Sequence, residues 1–243
     1  MEILVTGGTK GLGVEIAKAL AAPGADVFLN YHSDVEAAAS AEREISSLGA
    51  TCHLLETDAG TPKGCAEISA FVAARTDRLD QVVHYAYASP ALTADPKRFT
   101  QAAVINGMSL LFLTQAVLPL LSRGSTIFFL TSRGAGSWSK TMPPPGLARR
   151  CRKRWCAISP WNWRPAAPAS TASRSRSSKP MQYARCFGNN VGKLMEHAAA
   201  SNPSGRAIRS ADYTGIMKFL ASPEAEVVTG QIVFVNGGAN LSA

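Results

Sequence analysis

Ile3-Leu4-Val5-Thr6-Gly7-Gly8-Thr9-Lys10-Gly11-Leu12-Gly13-Val14-Glu15-Ile16-Ala17-Lys18-Ala19-Leu20 decides how the rest of this chain is read. Residues 3–6 are a short apolar run that stops at paired glycines, and Leu12, Ile16 and Leu20 then recur at helical spacing. Such a run followed by such a period predicts a strand, a tight turn and a helix. The glycines let the turn tighten and let a ligand approach the main chain. Free N–H groups and the dipole at the start of the helix favour an anion. Thr-Gly-x-x-x-Gly-x-Gly in this context therefore predicts a pyrophosphate cradle.

Outward from that unit the same alternation continues. Residues 25–30 (ADVFLN) read as a second buried strand, 35–48 as a polar-faced helix, 51–56 as a third strand and 66–74 as another helix. A fourth strand follows at 80–84 (DQVVH), a long apolar-faced helix at 98–121 and a fifth strand at 125–131 (STIFFLT). Residues 210–220 read as a late helix and 231–235 (QIVFV) as a closing strand. Short apolar strands alternating with helices imply an α/β fold, a doubly wound parallel sheet covered on both faces by right-handed crossovers. A chain of 243 residues with 46% hydrophobic residues suits one such domain over its full length.

The formal charge of +8 does not describe the whole chain. Residues 141–190 hold ten Lys/Arg and no Asp or Glu, which leaves 15 basic against 17 acidic groups elsewhere. The same stretch contains seven of the 14 prolines, three of the four tryptophans and three of the five cysteines. From about 137 to 186 no period of two or 3.6 is sustained, and the prolines would break either element. Nucleic-acid binding through Trp155, Trp161, Trp163 and the arginines rests on this segment alone, so no nucleic-acid partner is expected. Cys52, Cys65, Cys151, Cys156 and Cys186 lack paired metal or disulfide spacing and read as free thiols, with no metal site. No apolar run reaches about 18 residues and no signal sequence opens the chain, so a cytoplasmic protein without a membrane partner is expected.

With the glycine motif in place, the chain resembles the short-chain dehydrogenase/reductase family, single-domain Rossmann-type oxidoreductases, along nearly its whole length outside the anomalous segment. The resemblance implies that Thr6, Gly7, Thr9, Lys10, Gly11, Leu12 and Gly13 hold a nicotinamide dinucleotide. It implies that Asp58 and Ala59 contact adenine, that Ala86 borders the cofactor, and that Asn30, Tyr31 and His32 end the strand beside the ribose. Asn106 in VINGMSLLFLTQA matches the family's helix asparagine, and Ser132 at the end of the fifth strand matches its catalytic serine. Val228-Thr229-Gly230-Gln231 leading to Asn236-Gly237-Gly238 resembles its C-terminal signature. Each residue also has a plain reading, Asn106 as a packing amide and Ser132 as a strand-end turn residue. Where the family has Asn-Asn-Ala-Gly, this chain has His84-Tyr85-Ala86-Tyr87, where His84 and Tyr85 read as a packed histidine and a buried tyrosine, with lining of the cofactor cleft as the alternative. Asn30-Tyr31-His32-Ser33 supplies no carboxylate for a ribose 2′-hydroxyl, while Lys10 offers a cation to a 2′-phosphate. NADP(H) is therefore expected over NAD(H).

The family's proton donor is a tyrosine tuned by a lysine, and neither Tyr-x-x-x-Lys nor Tyr-x6-Lys occurs here. A shifted reading frame accounts for its loss. If each codon starts at the third base of the printed one, Trp161-Asn162-Trp163 forces Glu-Leu, Trp155-Cys156 forces Val and Met181-Gln182 forces Ala. The codons from 161 to 171 then permit E-L-A-P-R-G-T-R-V-N, a family hallmark, and those from 140 to 149 permit a Tyr and a Lys in Tyr-x6-Lys spacing. That spacing resembles the enoyl-acyl-carrier-protein reductase-like branch. Two compensating indels, near 134–137 and near 186–190, would bracket a frameshifted segment 137–186, whether as a mutation or as an error in the record. The expected function is NADPH-dependent reduction of a ketone or enoyl group on a small-molecule or carrier-bound acyl or polyketide-like substrate. The alternative is a catalytically dead NADPH-binding regulatory protein. The resemblance further implies a homo-dimer or tetramer.

Overall fold

In a computed structural model of the chain, which describes residues 1–88, 95–130, 202–235 and 237, strands and helices alternate as the pattern predicts. The order is β1 (Glu2–Thr6), α1 (Gly11–Leu20), β2 (Asp26–Tyr31), α2 (Val35–Ser46), β3 (Thr51–Glu56), α3 (Pro62–Ala73), β4 (Leu79–His84), α4 (Pro96–Val117), β5 (Leu121–Phe129) and α5 (Ser210–Ala221). The strands form one parallel sheet in the order β3-β2-β1-β4-β5. The chain thus winds outward from β1 in one direction and then, at β4, in the other.

Side-chain alternation along the strands sorts the core into two layers. Ile3 and Val5 of β1, Val27 and Leu29 of β2, Val83 and Phe128 pack with Ile16 and Leu20 of α1, Ile45 of α2 and Met217 and Leu220 of α5. Leu4, Phe28, Val82, Ile127 and Phe129 point the other way, onto Ile68 and Val72 of α3 and Leu110, Leu113 and Val117 of α4. Each fully buried aliphatic or aromatic side chain in these layers contributes about 1.5–3 kcal/mol relative to exposure. Pro96–Leu120 is long and apolar enough to cross a membrane by composition, but its apolar face is occupied by this second layer.

Element ends differ from the apolar pattern where polar chemistry sets them. The Thr61 hydroxyl accepts from Gly64 N–H and Pro62 follows it, so α3 starts four residues before its first apolar repeat. Asp95 and Pro96 likewise start α4 ahead of residue 98. β5 begins at Leu121, paired with Leu79. An irregularity containing Gly124 at φ 97° separates that pair from Gln81↔Thr126.

The expected closing strand is the main departure. Residues 231–235 do not belong to the sheet formed by the described residues, and Ile232 and Phe234 are 40% and 49% exposed. A closing parallel strand pairs with a neighbour beyond β5, and residues 131–201 lie outside the described residues. The segment 137–186, Asn236 and Gly238 lie outside the described residues.

Candidate active site

The two winding directions part between β1 and β4, and the carboxyl ends of those strands open the crevice where α/β sheets bind ligands. Gly7 sits there at φ 66°, and a Cβ on it would lie 3.2 Å from the Ala86 main chain. Gly13, on the first turn of α1, faces the Gly7 carbonyl so closely that a Cβ could not be accommodated, and that Cβ would also lie 2.9 Å from the Tyr85 ring. Gly11 has φ 53° with open space where its side chain would be. Lys10, at the helix start, makes no side-chain cap, and the first turn carries no acid. Main-chain N–H groups and the helix dipole are thus left for an anion. Glycines that clear the wall, together with an uncapped helix start, fit a dinucleotide pyrophosphate.

Behind the turn lies a buried polar chain. His84 is fully buried. Its Nδ1 is 2.8 Å from the Thr6 hydroxyl and its Nε2 is 2.8 Å from the Ser109 hydroxyl. Ser109 donates its one proton to the Ile105 carbonyl, so it accepts from Nε2–H and leaves Nδ1 to accept from Thr6. The Thr6 oxygen in turn accepts from Ala86 N–H at 3.4 Å. His84 is therefore the packed histidine of the plain reading, and it joins β1, β4 and α4 beneath the crevice. Tyr85 borders the crevice beside Gly13 and meets Tyr87 edge to face.

Asn30 is buried near the end of β2. Its side-chain amide donates to the Thr57 carbonyl at 2.9 Å, tying β2 to the loop after β3, and its main-chain carbonyl accepts from Gly8 N–H. In that loop the Asp58 carboxylate accepts from Gly60 N–H at 2.8 Å, and Ala59 is buried beside it. Tyr31 is half-buried, and partial burial followed by the Glu56 carboxylate raises its hydroxyl above the ordinary value. His32 is exposed and Thr9 is buried.

Lys10 forms an ion pair with Asp34. Asp34 also caps α2 by accepting from Ala37 N–H at 2.9 Å. Lys10, followed by that N–H, holds the Asp34 carboxyl below the usual range. The stretch 30–33 indeed carries no carboxylate, but the next residue brings one to the cation. Its signal in the sequence was its place 21 residues after Gly13, close to where an acid follows such glycine turns.

Asn106 is fully buried on α4 and uses both ends of its amide on one residue. Nδ2 donates to the Ala88 carbonyl at 2.6 Å, and Oδ1 accepts from Ala88 N–H at 3.2 Å. It pins the loop that follows β4. Thr131 and Ser132 lie outside the described residues, as do Cys151, Cys156, Cys186 and the three tryptophans of the anomalous segment. Cys52 and Cys65 are free thiols. Among the described residues no three His, Cys, Asp or Glu side chains are grouped to hold a metal ion.

Comparison with known proteins agrees with this geometry. A family model described as short chain dehydrogenase matches residues 2–142, and one described as Enoyl-(Acyl carrier protein) reductase matches 181–240. An uncharacterized oxidoreductase of Methylorubrum extorquens is 27% identical over 97% of this chain and 96% of its own length. Versicolorin reductase 1 of Aspergillus parasiticus is 25% identical over 97% of this chain and 95% of its own. The Pseudomonas aeruginosa RhlG/NADP active-site complex superposes with a TM-score of 0.79 at 24% identity, covering 99% of this chain and 96% of the other. Fold, crevice and family match converge: the chain belongs to the short-chain dehydrogenases, NAD(P)H-dependent oxidoreductases that act on small molecules.

Proposed function

We propose that this site takes NADP(H) and belongs to a reductase of a ketone or enoyl group on an acyl or polyketide-like substrate. We also propose that the chain as written has lost that reaction's proton donor. The observation that carries the nucleotide reading is Gly13 seated on the Gly7 carbonyl at the β1/β4 crevice, under a helix start without a side-chain cap. Gly11 and Leu12 hold the pyrophosphate through their main-chain N–H groups, Gly7 and Gly13 clear the space for it while the Gly13 N–H donates to the Lys10 carbonyl, and Thr6, Thr9 and Ala86 form the wall behind it. Asp58 and Ala59 flank the adenine, Tyr31 and His32 the adenosine ribose, and Lys10 the 2′-phosphate. Asn30 acts by stitching β2 to the adenine loop.

When bound, the nicotinamide supplies hydride to the substrate carbon. Ser132 polarises the substrate oxygen, and Asn106 acts through Ala88 by fixing the loop after β4. Oxygen or the adjacent carbon still needs a proton, and neither tyrosine-lysine spacing of the family is present to give it. The name of the Aspergillus relative supports reduction as the direction. The two family matches leave residues 143–180 between them, inside the segment read as frame-shifted, and this supports the reading that an in-frame parent carries the donor.

Calorimetric titration of the chain with NADP+ and NAD+, beside an assay of NADPH oxidation by a frame-restored gene product offered acyl ketones and enoyl thioesters, tests the proposal. Binding by the chain with turnover only in the restored protein is the expected result. No binding by either protein, or no turnover by the restored one with any such substrate, would overturn it. The intact cradle beside the absent donor also favours a second reading, a nucleotide-binding protein without turnover. Binding by both proteins with turnover by neither would select it.

A further inference from the structure

The wall that follows β4 is held at two points. Ala86 N–H donates to the Thr6 hydroxyl oxygen beside the glycine turn, and Ala88 is gripped by both ends of the Asn106 amide on α4. The two anchors are themselves joined behind the wall. The Thr6 hydroxyl donates to Nδ1 of His84, Nε2–H of His84 donates to the Ser109 hydroxyl oxygen, and Ser109 donates to the Ile105 carbonyl. Ile105 and Ser109 bracket Asn106 on the same turn of α4, so the bonds close into a ring around residues 86–88. Thr6, His84, Asn106 and Ser109 are all fully buried, and a broken bond would leave a polar group without water to replace it. The ring of bonds therefore moves as a unit.

We propose that His84 is a positioning residue that couples a dinucleotide seated at the glycine turn to the turn of α4 carrying Asn106. The inference rests on the dinucleotide reading above. A pyrophosphate packed against Thr6 and Ala86 stills the near side of the ring, and the imidazole carries that ordering to Ser109 and so to Asn106. An asparagine, which the family has at this position, ends where the near nitrogen of the imidazole stands and stops short of Ser109. The coupling is thus a property of the histidine.

Hydrogen exchange of the full chain, read by mass spectrometry with and without saturating NADP+ or NAD+, tests this in the parent, Ser109→Ala and His84→Asn chains, while calorimetry reports binding. Both substitutions keep the Thr6 side of the link and remove the Ser109 side. In the parent, bound nucleotide is expected to slow exchange about tenfold both at 84–88 and at 103–110. In each variant the slowing at 84–88 is expected to remain, and that at 103–110 to shrink to within about twofold. Ser109→Ala removes only a hydroxyl and carries the comparison if His84→Asn does not fold. A merely structural role for His84 would quicken exchange at 103–110 in free and bound variants alike and keep the ratio between them. That result, or a parent in which nucleotide slows 84–88 and leaves 103–110 unchanged, would overturn this inference and leave the dinucleotide reading standing. Binding of neither nucleotide by the parent would overturn both.

Discussion

His84 Nδ1 and the Thr6 hydroxyl lie 2.8 Å apart in a fully buried setting, although 78 residues separate them in the chain. The bond locks the carboxyl end of β1 to that of β4, and Ser109 on the far side of the ring extends the lock to α4. Replacing His84 with Ala leaves two buried hydroxyls short of a partner around a ring-sized cavity. The expected cost is about 3 kcal/mol, or on the order of 10 °C in Tm. Thermal and urea unfolding measure it, and a loss below about 1 kcal/mol would show that the network is not needed for the fold.

Gly13→Ala forces a methyl onto the Gly7 carbonyl and the Tyr85 ring, so nucleotide affinity should fall by at least about tenfold. Gly215→Ala is the matched control. Gly215 lies inside α5 with nothing within 4 Å of its would-be side chain, so alanine there should stabilise by about 0.5–1 kcal/mol and leave binding alone. Titration and melting of both variants decide the matter. Equal effects on binding would remove the steric account of the turn.

Asp212 links acid stability to the start of α5. Two 2.7 Å bonds from Arg206 hold its carboxyl down at about 2, against partial burial, and the Arg209 N–H adds to the hold. The folded value lies below the unfolded one, so this contribution is present above about pH 4 and lost as pH falls toward about 2. Because the pair is partly exposed it should amount to about 1 kcal/mol. The Tm difference between the parent chain and Asp212→Asn should be steady near neutrality and shrink across that acid window. A difference that does not change with pH would rule the pair out as its source.

Burial pushes the Cys65 thiol up to about 12, with the Asp58 carboxylate adding to the effect, and its sulfur lies 3.4 Å from the Ala59 carbonyl. A thiol so far from its thiolate is a poor nucleophile. Alkylation at mildly alkaline pH, mapped by peptide mass spectrometry, should leave Cys65 unmodified in the folded chain. Rapid labelling there would mean that the layer between α3 and the sheet opens easily.

The glycine turn and the alternation of strands and helices were legible in sequence because both rest on local rules, namely φ freedom at Gly7 and Gly11 and the periods of two and 3.6. What local rules could not convey was partnership across the fold. Asn30 stands near the end of β2, where the resemblance puts the ribose, but the bond from its amide to the Thr57 carbonyl joins residues 27 positions apart. Asp34 lies one residue past the 30–33 stretch at the end of β2, and its meaning depends on Lys10, 24 positions earlier in the chain. His84 was readable as a packed residue, but Ser109, the partner that fixes its proton, carries no signal except its place three residues after Asn106 on the same helix. The strand expected at 231–235 has the right apolar pattern, yet it stands outside the sheet formed by the described residues, a matter of pairing that a pattern within one segment does not reveal.

The crevice between β1 and β4 is walled by stretches from opposite ends of the first winding, the turn at Gly7–Gly13 and the backbone at Tyr85–Ala86. A molecule lodged there spans that separation like a removable staple. Denaturants and proteases would therefore register its arrival as a stiffening of the whole amino-terminal half, even in a chain that converts nothing.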